Sequence, residues 1–420
     1  METVEKIIAL LEKGNHKEAL QGYRHILNHG SGEERYVLGE EFLRYGFVEE
    51  AKNLFETLLQ DCPDEGEILV YYAEACLELG EDDEAMLALN EVPENDPSYP
   101  RALLLMADLY QMQGLYEVSE QKLLKAKQLL PDEIVIDFAL GELYLEEGKL
   151  QEAIEAYKKV IEKETEIGGV NIHQRLGDAY SAGGNFEEAL IHYDKALEER
   201  LDINTLFNYG LTAFQAGMNK TAIEKFTEVK ELDYEYHSVY LYLAMAYERE
   251  GELEKGLAVA EEGLKYDEFN KDLYFCGGRM ALKNGDDDKG IEFLKKALEL
   301  DPEFVAAALL LSKLYLKKEW YEDVLAVVKG MRENGLEEPQ FLWDEAAALW
   351  HLEQYSQALN KYEQAYTYFK DDPDFLTEFG YFLMEEGKRE KAAEIFTKVL
   401  EMDPTNENII YILERLSDEA

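Results

Sequence analysis

Along the whole chain a glycine, replaced twice by glutamate, returns at nearly fixed intervals: Gly14, Gly46, Gly80, Gly114, Gly148, Gly184, Gly217, Gly251, Gly285, Glu319, Glu353 and Gly387. Most intervals are 34 residues; the exceptions are 32 (Gly14 to Gly46), 36 (Gly148 to Gly184) and 33 (Gly184 to Gly217). Such a period marks a repeated unit that cannot bury its apolar face alone and must stack on its neighbours. It accommodates two helices of about fourteen residues and two short turns.

Steric positions support the alignment. Seven residues before each punctuation point, from the second on, stand Gly39, Ala73, Ala107, Gly141, Gly177, Gly210, Ala244, Gly278, Ser312, Ala346 and Gly380. Five after it stand Ala19, Ala51, Ala85, Ser119, Ala153, Ala189, Ala222, Gly256, Gly290, Ala358 and Ala392. Only Ile7 and Val324 break the two series. Antiparallel helices cross closely only where facing residues are small. Nine after each point but one, where Ala260 stands, a large side chain recurs (Tyr23, Phe55, Tyr157, Tyr193 and Phe396 among them), as a knob toward the next layer should. Seventeen after it, Pro63, Pro97, Pro131, Pro302 and Pro404 end the second helix, since proline cannot continue one.

At these residues the sequence resembles the tetratricopeptide repeat (TPR) family over essentially the whole chain. More narrowly it resembles the stand-alone acidic TPR proteins of bacteria of the YpiA type. The resemblance implies an all-α fold, a right-handed superhelical solenoid of about twelve helix pairs. The first helix of each pair would line a concave groove and the second would cover the convex side.

The expected organisation is one continuous array over residues 1–405, followed by a capping helix and tail over 406–420 whose polar face carries Glu407, Asn408, Glu414 and Arg415. Three segments depart from the pattern and are expected to bend or soften the array. Residues 161–171 hold the two-residue expansion and the Gly168-Gly169 pair. Residues 256–290 put Gly256, Gly263, Gly277 and Gly278 inside helices, where each glycine costs about 0.5–1 kcal/mol relative to alanine. Residues 319–340 carry Glu319, Val324 and the irregular run GMRENGLEEPQ.

Charge narrows the function. Ninety acids against 42 bases leave a formal net charge of −48, spread along the chain: residues 1–210 hold 45 acids and 18 bases. Bare DNA, RNA and anionic membranes share that sign and are disfavoured as partners. Three cysteines without a CxxC pair argue against disulfides and thiolate metal sites, and fit a reducing cytoplasm. The first residues, METVEKIIALLEKG, are charged and amphipathic rather than a basic region followed by an apolar one, so neither export nor membrane insertion is expected. The expected location is cytoplasmic.

No HExxH, GxxxxGK[ST], GxSxG or GxGxxG motif occurs, and no enzyme activity or cofactor is expected. His25 and His29 lie one helical turn apart, and GDDDKG from Gly285 lacks the alternating ligands and distal glutamate of a calcium loop; a solvated face and an ordinary turn are the readings, with no metal site.

Function in such an array comes from the groove. The resemblance places two ladders of first-helix positions there. Ten before each point stand Tyr36, Val70, Leu104, Phe138, Phe207, Phe275 and Trp343; six before it stand Glu40, Glu74, Asp108, Glu142 and Asp178, then, after two apolar positions, Arg279 and Lys313. The acidic rungs suit a basic, apolar segment or a basic protein surface, and the Arg279–Lys313 end suits a carboxylate. Between Lys52 and Arg101 there are fourteen acids and no base, the strongest local field. The expected function is protein–protein interaction as an adaptor or assembly factor, its partner a protein with a basic surface or segment, such as a nucleic-acid-handling protein. The alternative is a regulatory or sensor subunit whose curvature changes on binding.

Overall fold

The structure, a computed structural model, describes residues 2–418. Among these residues are 25 helices and one two-stranded hairpin. The helices pair in chain order. The first six pairs are α1 (Glu2–Glu12) and α2 (His16–His29), α3 (Gly32–Arg44) and α4 (Val48–Asp61), α5 (Gly66–Glu78) and α6 (Asp82–Glu91), α7 (Tyr99–Met112) and α8 (Tyr116–Leu129), α9 (Ile134–Glu146) and α10 (Leu150–Ile161), and α11 (Ile172–Ala182) and α12 (Phe186–Glu199). The next six are α13 (Ile203–Gln215) and α14 (Asn219–Leu232), α15 (Ser238–Arg249) and α16 (Leu253–Gly263), α17 (Lys271–Lys283) and α18 (Asp287–Leu300), α19 (Val305–Lys317) and α20 (Tyr321–Glu333), α21 (Pro339–His351) and α22 (Tyr355–Phe369), and α23 (Pro373–Glu385) and α24 (Arg389–Met402). A final helix, α25 (Glu407–Asp418), follows. The fold is therefore the all-α array of twelve helix pairs that the period implied. The chain divides into two compact units, Met1–Asn208 and Tyr209–Ala420. The boundary falls within α13 and coincides with none of the three irregular segments.

Every punctuation residue has positive φ, including Glu319 (φ 59) and Glu353 (φ 58). The reason is a shared helix stop. At Gly148, for example, the glycine N–H donates to the Leu145 carbonyl and the next N–H, of Lys149, to that of Tyr144. These two bonds satisfy carbonyls orphaned at the end of α9 and require a left-handed residue between them. Glycine adopts that conformation freely; glutamate does so at a cost of about 1–2 kcal/mol.

Small residues do what the alignment asked of them. A Cβ built on Gly141 would lie 2.6 Å from the Tyr157 ring, and one on Gly177 or Gly39 equally close to Tyr193 or Phe55. Where the facing knob is Leu89 or Leu123, the small position is Ala73 or Ala107. Ile7 is accommodated by an inversion: its side chain would meet a Cβ at Gly22 at 2.6 Å, so the small residue has moved to the second helix. The glycines of residues 256–290 answer to the same demand, since a Cβ on Gly263 would meet Tyr240 at 2.5 Å and one on Gly277 would meet Phe293 at 2.6 Å.

Residues 161–171 form a hairpin rather than a plain longer turn. Strands β1 (Glu166–Ile167) and β2 (Val170–Asn171) pair antiparallel, with Ile167 opposite Val170. Gly168 (φ 56) and Gly169 (φ 86) make the two-residue loop, whose twist needs positive φ at both positions. Arg200, just past α12, holds the loop through the Gly169 carbonyl at 3.2 Å and Glu166 at 3.5 Å. In α25, Ile409 is buried against the preceding pair while Glu407, Asn408, Glu414 and Arg415 are exposed.

Two stability outcomes follow. Gly39→Ala should cost about 1–3 kcal/mol by overpacking, and Phe55→Leu in the same chain should recover part of it, because that pair recreates the Ala–Leu crossing of the next two repeats. Glu353→Gly should raise the free energy of unfolding, read from urea melts, by up to about 1 kcal/mol, strain relief outweighing the added chain entropy.

Candidate partner-binding cleft

In the first unit the helices α7 and α9 lie beside the hairpin and enclose a cleft of about 590 Å³. Positions four apart share a helix face, so Leu104 and Asp108 of α7, and Phe138 and Glu142 of α9, point into it together. Leu104, Leu105, Phe138 and Ala139 form an apolar floor, Ile167 and Val170 of the hairpin a wall, and Met112, 69% exposed, the rim.

Four of the five acidic rungs have partners. The Tyr71 hydroxyl donates to Glu40 at 2.5 Å. Arg101, stacked over the Tyr71 ring, meets Glu74 at 2.6 Å. Glu142 accepts from the Tyr157 hydroxyl at 2.5 Å and pairs with Arg175 at 2.9 Å. Asp178 accepts from the Tyr193 hydroxyl at 2.7 Å and from Asn208 at 3.2 Å. Burial raises the pKa of Glu74 and of Asp178, against the pull of Arg101 on the first and of Tyr193 and Arg175 on the second. Where the crossing pairs glycine with tyrosine, the tyrosine hydroxyl is brought onto the neighbouring acid.

Asp108 has no hydrogen-bond or ion-pair partner among the described residues. Its facing knob is Leu123, which carries no hydroxyl, and the next first helix, α9, offers Val135 and Ala139 in the registers from which α7 offered Arg101 to Glu74 and α5 offered Tyr71 to Glu40. The residue is exposed at the cleft mouth, yet the neighbouring walls displace part of the water around its carboxylate, and this desolvation pushes its pKa up to about 6.

The remaining residues chosen from sequence are scattered in role. Val70 is fully buried in the core and Phe207 nearly so, which corrects the expectation that they present side chains to a partner: Val70 packs into the cluster that the neighbouring pairs share, and Phe207 has almost no surface left to offer. Tyr36 is half-buried, edge-on to Tyr71. In the second unit Arg279 is consumed by Glu248, reached from Nε at 2.9 Å and Nη2 at 2.5 Å, while Lys283 holds the same carboxylate at 2.7 Å. Burial opposes the charge, but the two cations keep Glu248 below the usual carboxylate range. Phe275 packs on Phe304 and under Arg279. Trp343 packs edge-on to Phe369 and Phe375 and donates to Glu378 at 2.9 Å. Lys313 is exposed and has no ion-pair partner among the described residues.

Burial pushes the Cys76 and Cys276 thiols up to about 11, leaving them protonated near neutrality. Asp286 caps α18 through the Lys289 N–H and Asp287 pairs with Lys318, so the GDDDKG run is a turn. Sequence spacing missed the close histidine pair, His173 and His192, whose Nδ1 atoms lie 2.9 Å apart across α11 and α12. Among the described residues no group of three or more His, Cys, Asp or Glu side chains could hold a metal ion, and no helix is long and apolar enough to cross a membrane.

Comparison with known proteins agrees with the repeat. The YpiA-like tetratricopeptide repeats match residues 111–165 and their C-terminal counterpart residues 339–406. General tetratricopeptide repeat families match residues 43–109, 144–204 and 278–304. The chain is 44% identical to the TPR repeat-containing protein YpiA of Bacillus subtilis (strain 168), over 99% of this chain and 98% of that protein. It belongs to the YpiA-like TPR family. TPR arrays generally mediate protein–protein interaction and are generally non-enzymatic scaffolds. Solved structures similar to this YpiA-like chain include a tetratricopeptide repeat protein from Parabacteroides merdae (19% identical, covering 60% of this chain and 98% of that one, TM-score 0.43). Another is in the APC/C hetero-tetramer Cut9-Hcn1 (12% identical, 97% and 94%, TM-score 0.40).

The raised pKa of Asp108 has a definite sign in stability. The folded chain binds this proton more tightly than the unfolded one, so its contribution falls as pH rises from about 4 through about 6 and is flat above. Asp108→Asn should therefore stabilise the chain at pH 7.5, by less than about 1 kcal/mol given the solvent at the cleft mouth, and leave stability near pH 4 unchanged; urea melts at both pH values check it.

Proposed function

We propose that this chain is a protein-interaction adaptor or assembly factor that holds a partner segment in the cleft of α7, α9 and the hairpin. The segment carries apolar side chains flanking one lysine, arginine or other cationic donor. One observation supports this reading above the rest: Asp108 is an unpaired carboxylate in a partly desolvated cleft with an apolar floor. A cation from a partner would restore the lost solvation of Asp108 while its apolar neighbours cover Leu104, Phe138 and Met112. The intramolecular partners of Glu40, Glu74, Glu142 and Asp178 narrow the requirement from a run of basic residues to a single one. The net charge of −48 adds long-range attraction for a basic partner, speeding encounter more than it deepens affinity.

Selection of displayed random peptides on the full chain tests the proposal. Enriched peptides should carry a lysine or arginine beside aliphatic or aromatic residues, and Asp108→Lys should weaken their binding at least ten-fold while leaving the unfolding midpoint no lower. Met112→Glu should weaken it as well. Peptides that bind these variants and the parent equally would place the interaction elsewhere.

A further inference from the structure

The two turns that follow α14 and α16 in the second unit carry aromatic rings in solvent. Tyr234 is 57% exposed, Tyr266 42% and Phe269 72%. The rings of Tyr234 and Tyr266 lie 5.6 Å apart, and Tyr266 stacks on Tyr240 at 5.5 Å, so the aromatic edge has a buried root. The Tyr240 hydroxyl donates to the Tyr234 carbonyl at 2.9 Å and fixes the first turn; the Asp267 carboxylate accepts from the Phe269 N–H at 3.3 Å and from the Asn270 side chain at 3.0 Å and fixes the second. The rings are displayed on ordered turns.

Their places in the repeat make the display unusual. Tyr234 occupies the position where Pro63, Pro97, Pro131, Pro302 and Pro404 stand exposed. Phe269 occupies a position at which every other repeat from the second on has an acid, serine or threonine, Asp64, Ser98, Asp132, Asp202, Glu303 and Thr405 among them. The fold thus needs no apolar side chain at either place. Full burial of a phenylalanine contributes about 1.5–3 kcal/mol, and this one collects little of it within the chain.

We propose that this edge is a second docking surface, distinct from the cleft and independent of it. Its occupant is a folded protein surface with an aliphatic centre rimmed by lysine and arginine. The charges define that choice. Glu231, Asp233, Glu235, Asp267 and Glu268 lie in or beside the two turns, against Lys265 within them, while the flanking Lys230 and Lys271 are already paired with Glu262 and Asp301. A basic rim would meet both the acids and the electron-rich ring faces. A second copy of this chain is disfavoured, because it would set one acidic rim against another.

The test replaces Phe269 by photoreactive benzoylphenylalanine in the full chain, with Asp132, the same register in the first unit, as the control position. Irradiation in the cells that make the protein should join position 269, and not 132, to one protein through a segment holding lysine or arginine beside aliphatic residues. That protein, purified, should bind the full chain; Phe269→Ser and Tyr234→Ser should each weaken binding at least five-fold with the melting temperature unchanged, added salt should weaken it further, and Asp108→Lys should leave it intact. Adducts no stronger at 269 than at 132, an adduct to a second copy of this chain, an adduct to an acidic surface, or affinity unaffected by Phe269→Ser would each overturn the proposal.

Discussion

Everything in this protein rests on the crossing of the two helices within each repeat, where a residue with little or no side chain faces a larger one, most often a ring or a leucine. At Gly141 and Tyr157 the ring lies where a Cβ would have to be, so the backbone of one helix is in contact with the side chain of the other. That proximity buries the knob completely and brings the two helices close enough for the next pair to lie across both. The left-handed stop after the first helix supplies the geometry: it ends α9 with its carbonyls satisfied and sends the chain back antiparallel within a few residues.

The same crossing decides which acids are free. A tyrosine admitted by glycine carries its hydroxyl to the inner side of the pair, where Glu142 and Asp178 accept it. A leucine admitted by alanine brings no hydroxyl, and the acid beside it depends on the following repeat for a partner. Arg101 answers for Glu74; among the described residues none answers for Asp108. The candidate cleft therefore opens where an Ala–Leu crossing is followed by a first helix bearing Val135 and Ala139, and where the chain's two extra residues have been folded into a hairpin wall.

Much of the fold was legible in the sequence because the constraints behind it act over short range. Twelve left-handed stops and twelve crossings leave their marks within sixteen residues of one another. Even the two glutamates in the glycine series were placed correctly, since ten other repeats defined what their backbone must do. The site was legible only as a ladder. Whether Glu40 or Asp108 stands free depends on residues from adjacent repeats, some 30 positions away, and on which rotamer carries a hydroxyl or guanidinium across. Periodicity assigns such residues to a face without assigning them to each other, which is why Val70 looked available and Arg279 looked unpaired.

By itself, then, the sequence determined the class of fold, the number of helix pairs, the turns between them, the final helix and the sign of the field that a partner meets. Each of these follows from local sterics repeated many times or from a simple count of charges. The tertiary structure alone decided that the expansion near Gly168 becomes a hairpin, that four acidic rungs are spent on tyrosines and arginines, and that Asp108 and the rings of Tyr234 and Phe269 are left over. Those outcomes turn on whether a particular polar or aromatic side chain finds a neighbour in space, and such pairing has no period to be read from.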